Sequence, residues 1–172
     1  MDLSVLRGKK VLIVDDEQDV IETIMDLLDK CQVESASDFA SAKTLLGRHK
    51  YDAAILDIMG VNGFGLLEVA IANQIPALML TAHALSADNF KKSISAGAYA
   101  YIPKEEMINI PDYLAELLLA AAKGKKSGKW FARLTPAYDR LFGQDWKKTD
   151  KVFWDDFNDQ FAFTKEELTR IL

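Results

Sequence analysis

Two adjacent carboxylates, Asp15 and Asp16, directly follow the apolar run Val11-Leu12-Ile13-Val14. A third, Asp57, closes the run Ala53-Ala54-Ile55-Leu56; Thr81 ends Ala77-Leu78-Met79-Leu80, and Lys104 follows Ala100-Tyr101-Ile102-Pro103. Each polar residue stands where a short buried strand would stop, and in a parallel α/β sheet the carboxyl ends of the strands are where ligands gather. Acids, a hydroxyl and a lysine meeting there make a site for a divalent metal and a phosphoryl group. Taken singly, each has an ordinary reading: an Asp after a strand caps a helix or turns the chain, Thr81 ends a strand, Lys104 is solvated and Tyr101 packs. The adjacent pair resists that reading, because like charges at one strand end cost energy without a cation.

The elements that would carry these residues alternate. Lys10 to Asp15 reads as a strand covered on both faces, and Val20, Ile24, Leu27 and Leu28 then recur at helical spacing. Gln32 to Ala36 is a weaker strand, and Asp38 caps a helix from Phe39 to about Gly47. Ala53 to Leu56 is the third strand, Gly65 to about Ala72 a helix, and Pro76 marks entry to a fourth strand ending at Thr81. Ser86 or Ala87 opens a helix stopped by Gly97; Ala100 to Ile102 is a fifth strand, and a helix runs from Pro111-Asp112 to Lys123. Five β-α units in sequence predict a doubly wound, open parallel α/β sheet with helices on both faces.

Composition agrees: 49% hydrophobic and 27% charged residues exclude wholesale disorder. No apolar stretch approaches the ~20 residues needed to span a bilayer, and Met1-Asp2-Leu3-Ser4 lacks the layout of a signal peptide. The single cysteine, Cys31, allows no internal disulfide and reads as a small buried residue. A cytoplasmic, non-membrane protein is the expectation. The net charge of −5 hides an acidic body and a mildly basic tail, with eleven Lys/Arg against eight Asp/Glu from Lys123 onward. That excess is too small to argue for nucleic acid.

The pattern Asp15-Asp16, Asp57, Thr81-Ala82, Lys104, with Gly65, Gly97-Ala98 and Tyr101, resembles the receiver domain of two-component response regulators, similar to the chemotaxis regulators. The likeness covers roughly residues 8 to 123 and implies a flavodoxin-like five-stranded sheet. It implies that Asp57 is the phosphoacceptor, taking a phosphoryl group from a sensor histidine kinase or phosphotransfer protein in a Mg²⁺-dependent reaction. Asp16 and Asp57 would ligate the metal directly, Asp15 through water, and Met59 through its backbone carbonyl. Thr81, Ala82 and Lys104 would contact the phosphoryl group. Thr81 and Tyr101 would form a switch that repacks the surface of the fourth helix, fifth strand and fifth helix, a surface Tyr99 shares. On this likeness the protein is a phosphoacceptor signalling protein, with only self-catalysed phosphoryl transfer and slow autodephosphorylation, and not an enzyme.

Three positions depart from the family's habit. Gly60 and Val61 stand where Met-Pro is usual, and Gly60 and Gly63 are expected to loosen that loop, with Met59 packing nearby in compensation. Glu105 follows Lys104 where the family has a proline joined by a cis peptide, so either the loop is built differently or strain is retained. His83 reads as a residue limiting water access rather than a base.

Beyond residues 124–129, a small basic segment read as a flexible linker, residues 130–172 hold ten of the seventeen aromatics, including Trp130, Trp146 and Trp154. Such density excludes a passive tail. Pro136 is expected to begin a helix carrying Tyr138, Leu141 and Phe142, stopped by Gly143, and Thr164-Lys165-Glu166-Glu167 is a capping box opening a last short helix. Short helices of this kind need a partner surface: the receiver, each other, another protein or a second copy. DNA binding is disfavoured by the interleaved acids. Two competitors remain: a receiver-fold scaffold that is not phosphorylated, and an Asp-nucleophile phosphatase, against which Met59 stands where a second acid would be needed.

Overall fold

The computed structural model describes residues 1–83 and 85–171. Strands β1 (Lys10–Val14), β2 (Gln32–Ala36), β3 (Ala53–Asp57), β4 (Ala77–Thr81) and β5 (Ala100–Pro103) form one parallel sheet in the order β2-β1-β3-β4-β5. Helices α1 (Gln18–Leu27), α2 (Phe39–Arg48), α3 (Gly63–Ala72), α4 (Ala87–Ser95) and α5 (Ile110–Ala121) alternate with them. This is the expected doubly wound fold. Burial explains its apolar strands: every residue of β3 and β4, and all of β1 but Lys10, is covered by helices on both faces.

Strand order reverses between β1 and β3, opening a crevice at their carboxyl ends. Register then levels the polar residues. Val14 lies opposite Leu56, Asp57 opposite Leu80, and Thr81 opposite Pro103, so Asp15, Asp57, Thr81 and Lys104 emerge at one height. Local chemistry starts the helices where the sequence indicated: the Asp38 carboxylate accepts from the Ser41 N–H at 2.8 Å, and the Ser86 hydroxyl from the Asn89 N–H at 3.1 Å.

The aromatic extension packs on the sheet's own helical layer. It comprises α6 (Lys129–Phe142), α7 (Lys151–Gln160) and α8 (Lys165–Ile171), with a two-residue parallel pair of β6 (Lys126–Ser127) and β7 (Phe161–Ala162). Phe90 of α4 is its anchor: the rings of Trp130, Phe131, Tyr138, Trp146, Phe153, Trp154 and Phe157 all lie with centroids 5.2 to 6.2 Å from it. Such edge-on and offset contacts add to the burial of apolar area.

Three expectations are corrected here. The segment 124–129 is not loose: Lys126–Ser127 pairs with β7, and the Ser127 N–H donates to the Tyr99 hydroxyl at 2.9 Å. Gly128 belongs to this seam, since the Phe163 ring occupies the space a Cβ would need. Pro136 lies inside α6 rather than opening it. A proline there forfeits one helical hydrogen bond, but Trp130, Phe131 and Leu134 bury the preceding turn and hold it helical. Leu141 points outward, half exposed, while Tyr138 on the same helix is fully buried. The capping box at Thr164 forms as expected, its hydroxyl accepting from the Glu167 N–H and the Glu167 carboxylate from the Thr164 N–H.

One carboxylate is sealed under the extension. Glu116 of α5 accepts from the Trp130 N–H at 3.1 Å and lies 4.0 Å from the Arg133 guanidinium. Burial raises its pKa above the ordinary 4.5, although Ser127, Trp130, Arg133 and Lys129 partly offset this. A raised folded-state value means that the folded chain holds the proton more tightly. Its contribution is therefore complete below the ordinary value and is lost as pH rises through the raised one. Glu116→Gln is expected to remove that loss, flattening the pH dependence of urea unfolding midpoints above pH 4.5 and raising the midpoint at neutral pH.

Candidate metal and phosphoryl site

At the carboxyl edge of the sheet, Asp15, Asp57, Thr81 and Lys104 are all buried, with exposures of 1%, 4%, 1% and 8%. Lys104 draws the acids together. Its ammonium lies 2.8 Å from Asp15 Oδ2, 2.8 Å from Glu17 Oε1 and 3.4 Å from Asp57 Oδ1. Burial opposes its charge, but the hydrogen bonds it donates to Asp15 and Glu17 and the charge of Asp57 outweigh burial and hold its pKa above the ordinary lysine value.

The acids are not fully compensated. Desolvation, then the charge of Asp15, pushes Asp57 up to about 6 despite Lys104. Desolvation also raises Asp15, outweighing its bonds from Lys104 and the Glu17 N–H. This excess of buried negative charge is what a divalent cation would relieve. Carboxylate oxygens of Asp15, Asp16 and Glu17 come within 4.8 Å of one another, a hard-oxygen set suited to Mg²⁺. Two of the predicted ligands, Asp15 and Asp16, belong to this set, with Glu17 as its third acid and Asp57 outside it; the acids present fit such an ion.

Around this centre, Asp16 is exposed and its carboxylate lies against Gly60, where a Cβ would overlap it. Gly60 has φ +81°, a conformation glycine adopts without penalty. The glycine thus makes room for the acid, and Val61 beside it is buried. Asn62 closes the loop as the cap of α3, accepting from the Gly65 N–H at 3.3 Å. Met59 does not pack as expected; it is 53% exposed. Ala82 and His83 lie exposed at the mouth. After Lys104 the chain turns directly into a 3₁₀ helix, Lys104–Asn109, with no cis bond among the described residues, so the loop is built differently.

Glu17 was missed in the sequence. It stands at the N-cap of α1, yet its side chain makes no capping bond and reaches instead to Lys104, 87 positions away. Glutamate is a poor cap compared with Ser, Thr, Asp or Asn, and that mismatch was the available signal. Because Glu17 occupies one of three ammonium donors, Glu17→Gln should free Lys104 toward Asp57. Phosphoryl labelling by a small anionic donor at saturating Mg²⁺ is expected to accelerate several-fold; an unchanged or slower rate would contradict this competition.

The sequence profile described as response regulator receiver domain matches residues 11–114. The chain belongs to that family. It is 29% identical over 157 residues to the two-component response regulator ARR18 of Arabidopsis thaliana, covering 84% of this chain and 23% of that protein. It is 30% identical over 142 residues to the response regulator protein PilR of Pseudomonas aeruginosa, covering 79% and 30%. Among solved structures, a CheY-like receiver domain protein from Methanospirillum hungatei superposes with a TM-score of 0.63 at 25% identity, covering 68% of this chain and 98% of that one. The chain spans less than a third of the length of the curated relatives it matches. Among the described residues, no helix is long and apolar enough to cross a membrane.

Proposed function

We propose that this receiver accepts a phosphoryl group on Asp57 from a sensor histidine kinase or phosphotransfer protein, in a Mg²⁺-dependent reaction in the cytoplasm. The supporting observation is the buried Asp57 carboxylate, held 3.4 Å from the Lys104 ammonium at the crevice between β1 and β3. Asp15, Asp16, Asp57 and the Met59 carbonyl would hold Mg²⁺, which supplies positive charge at the phosphoryl oxygens and lowers the pKa of Asp57.

A carboxylate oxygen of Asp57 attacks phosphorus in line. The new O–P bond forms an acyl phosphate as the N–P bond of the phosphohistidine breaks and its electron pair returns to the imidazole, which takes up a proton. The transition state is loose, so catalysis is mostly placement and charge. Lys104 provides the charge by trading Glu17 for a phosphoryl oxygen, the Thr81 hydroxyl donates to another, and the small side chain of Ala82 leaves the group room. Phosphorylation makes the protein a signalling component whose output is a protein–protein contact, and DNA is not its target. A second copy of the chain, if it assembles while the extension is docked, would use a face other than the one the extension covers.

Incubation with acetyl phosphate and Mg²⁺, followed by intact-mass spectrometry, tests the proposal. One phosphoryl group per chain is expected, and none with the metal chelated. No incorporation under any donor or metal condition would leave the scaffold reading in its place.

A further inference from the structure

The face formed by α4, β5 and α5 is closed by the chain's own extension. We propose that this extension is a displaceable internal ligand of that face, and that its docking and phosphoryl occupancy of Asp57 reinforce each other. The coupling rests on the phosphoryl-acceptor reading above.

Tyr101 is the joint. Its ring is fully buried, edge-on to Phe90 at 5.6 Å and 6.4 Å from the ring of Tyr138. Its backbone carbonyl accepts the Tyr138 hydroxyl, while its own hydroxyl accepts from the Ser86 N–H at 3.2 Å. One residue therefore ties the extension to one end of the β4–α4 loop. The other end of that loop is Thr81, fixed in β4 opposite Pro103 and lying at the site. Ser86 in turn caps α4, whose Phe90 carries the aromatic cluster.

While the extension is docked, Tyr101 is wholly covered and has no path to solvent. Lifting the extension uncovers Phe90 and Tyr101, frees the ring from its slot and releases the Ser86 N–H. A phosphoryl group on Asp57 needs Thr81 and Ala82 in fixed places. Ser86, held beforehand by the Tyr101 hydroxyl, spares the bound state part of that ordering cost. Thermodynamic reciprocity then requires the phosphoryl group to strengthen docking by the same factor. Local opening can start in α7 and α8, helices of 10 and 7 residues that are marginal without their partner surface.

The test uses the full chain, beryllofluoride with Mg²⁺ as the phosphoryl mimic, and two variants, Tyr138→Phe and Phe153→Ala. Beryllofluoride should slow hydrogen exchange in α6 and α7 of the wild type. Each variant should weaken beryllofluoride binding roughly fivefold or more. Faster exchange in the extension on beryllofluoride binding, or affinities within about twofold of wild type for both variants, would overturn the proposal. If Phe153→Ala does not fold, the conservative Tyr138→Phe decides alone. If the wild type takes no beryllofluoride, the phosphoryl-acceptor reading fails. The joint is then judged without ligand: Tyr138→Phe must speed exchange across residues 85–90, and unchanged exchange there sinks it.

Discussion

Asp57→Asn is expected to abolish phosphoryl incorporation and, without metal, to leave the protein more stable than wild type at neutral pH. The first effect follows from losing the attacking oxygen. The second follows from burial. In the folded chain desolvation and the charge of Asp15 hold Asp57 at about 6, above the ordinary 3.8, so the folded state binds its proton more tightly than the unfolded state does. The stability this confers is present below pH 3.8 and is lost as pH rises through about 6. At pH 7 the wild type therefore carries an ionised, desolvated carboxylate that the amide replaces without charge. After allowance for solvent screening, the difference should be about 1–2 kcal/mol in favour of Asn, fading at pH 4. Lys104 keeps Asp15 and Glu17 as partners in the variant. Urea unfolding with chelator at the two pH values measures this, and added Mg²⁺ should reverse the order by stabilising the wild type more. A wild type more stable than the variant at pH 7 with the metal chelated would contradict the electrostatic account of the site.

Phe90→Ala should be the most destabilising single substitution outside the central sheet, costing about 3–5 kcal/mol. The residue is fully buried, contacts Tyr101 on β5, and meets seven rings of the extension, so its removal leaves a void no neighbour can close without unseating others. Two readings separate in the data. If the extension is merely attached, loss of Phe90 lowers one cooperative unfolding midpoint. If it opens on its own, the extension exchanges hydrogen rapidly while the central sheet stays protected. Leu141→Ala, at an exposed position on α6, is the control and should fall within about 0.5 kcal/mol of wild type. A Phe90→Ala cost no larger than the control would mean that the aromatic cluster contributes little to the fold.

Most of the sheet could be read from the chain because buried parallel strands leave uninterrupted apolar runs, and because the polar residue ending each run marks the strand's stop. The runs at Val11–Val14 and Ala77–Leu80 are of this kind. The extension was less legible for the opposite reason. Its helices are recognisable by Trp130, Leu134, Phe153 and Phe157 at helical spacing, but nothing along the chain states which surface those residues cover. Phe90 looks like one ordinary apolar residue of an amphipathic helix, and its central place appears only when the helices close over it. Pro136 was misplaced because local propensity favours proline in a first turn, whereas packing of the preceding Trp130 and Phe131 overrode it. Gly60 was read through conformational entropy alone; its requirement is spatial, set by Asp16 on a different strand end. Glu17 is hard to read because an acid at a helix start has an innocent local explanation; its poor fit as a cap hints at another role, and its direction in space shows that it serves Lys104.

The placement of the indoles has a practical corollary. Trp130, Trp146 and Trp154 all belong to the extension, and the sheet and its five helices contain none. Selective excitation of tryptophan therefore illuminates one part of the molecule while Asp57, which bears the proposed chemistry, stays optically silent. Emission wavelength and quenching by added iodide would follow the extension alone, in real time and without a label. The protein thus carries a built-in spectroscopic reporter spatially separated from the site whose state it would record.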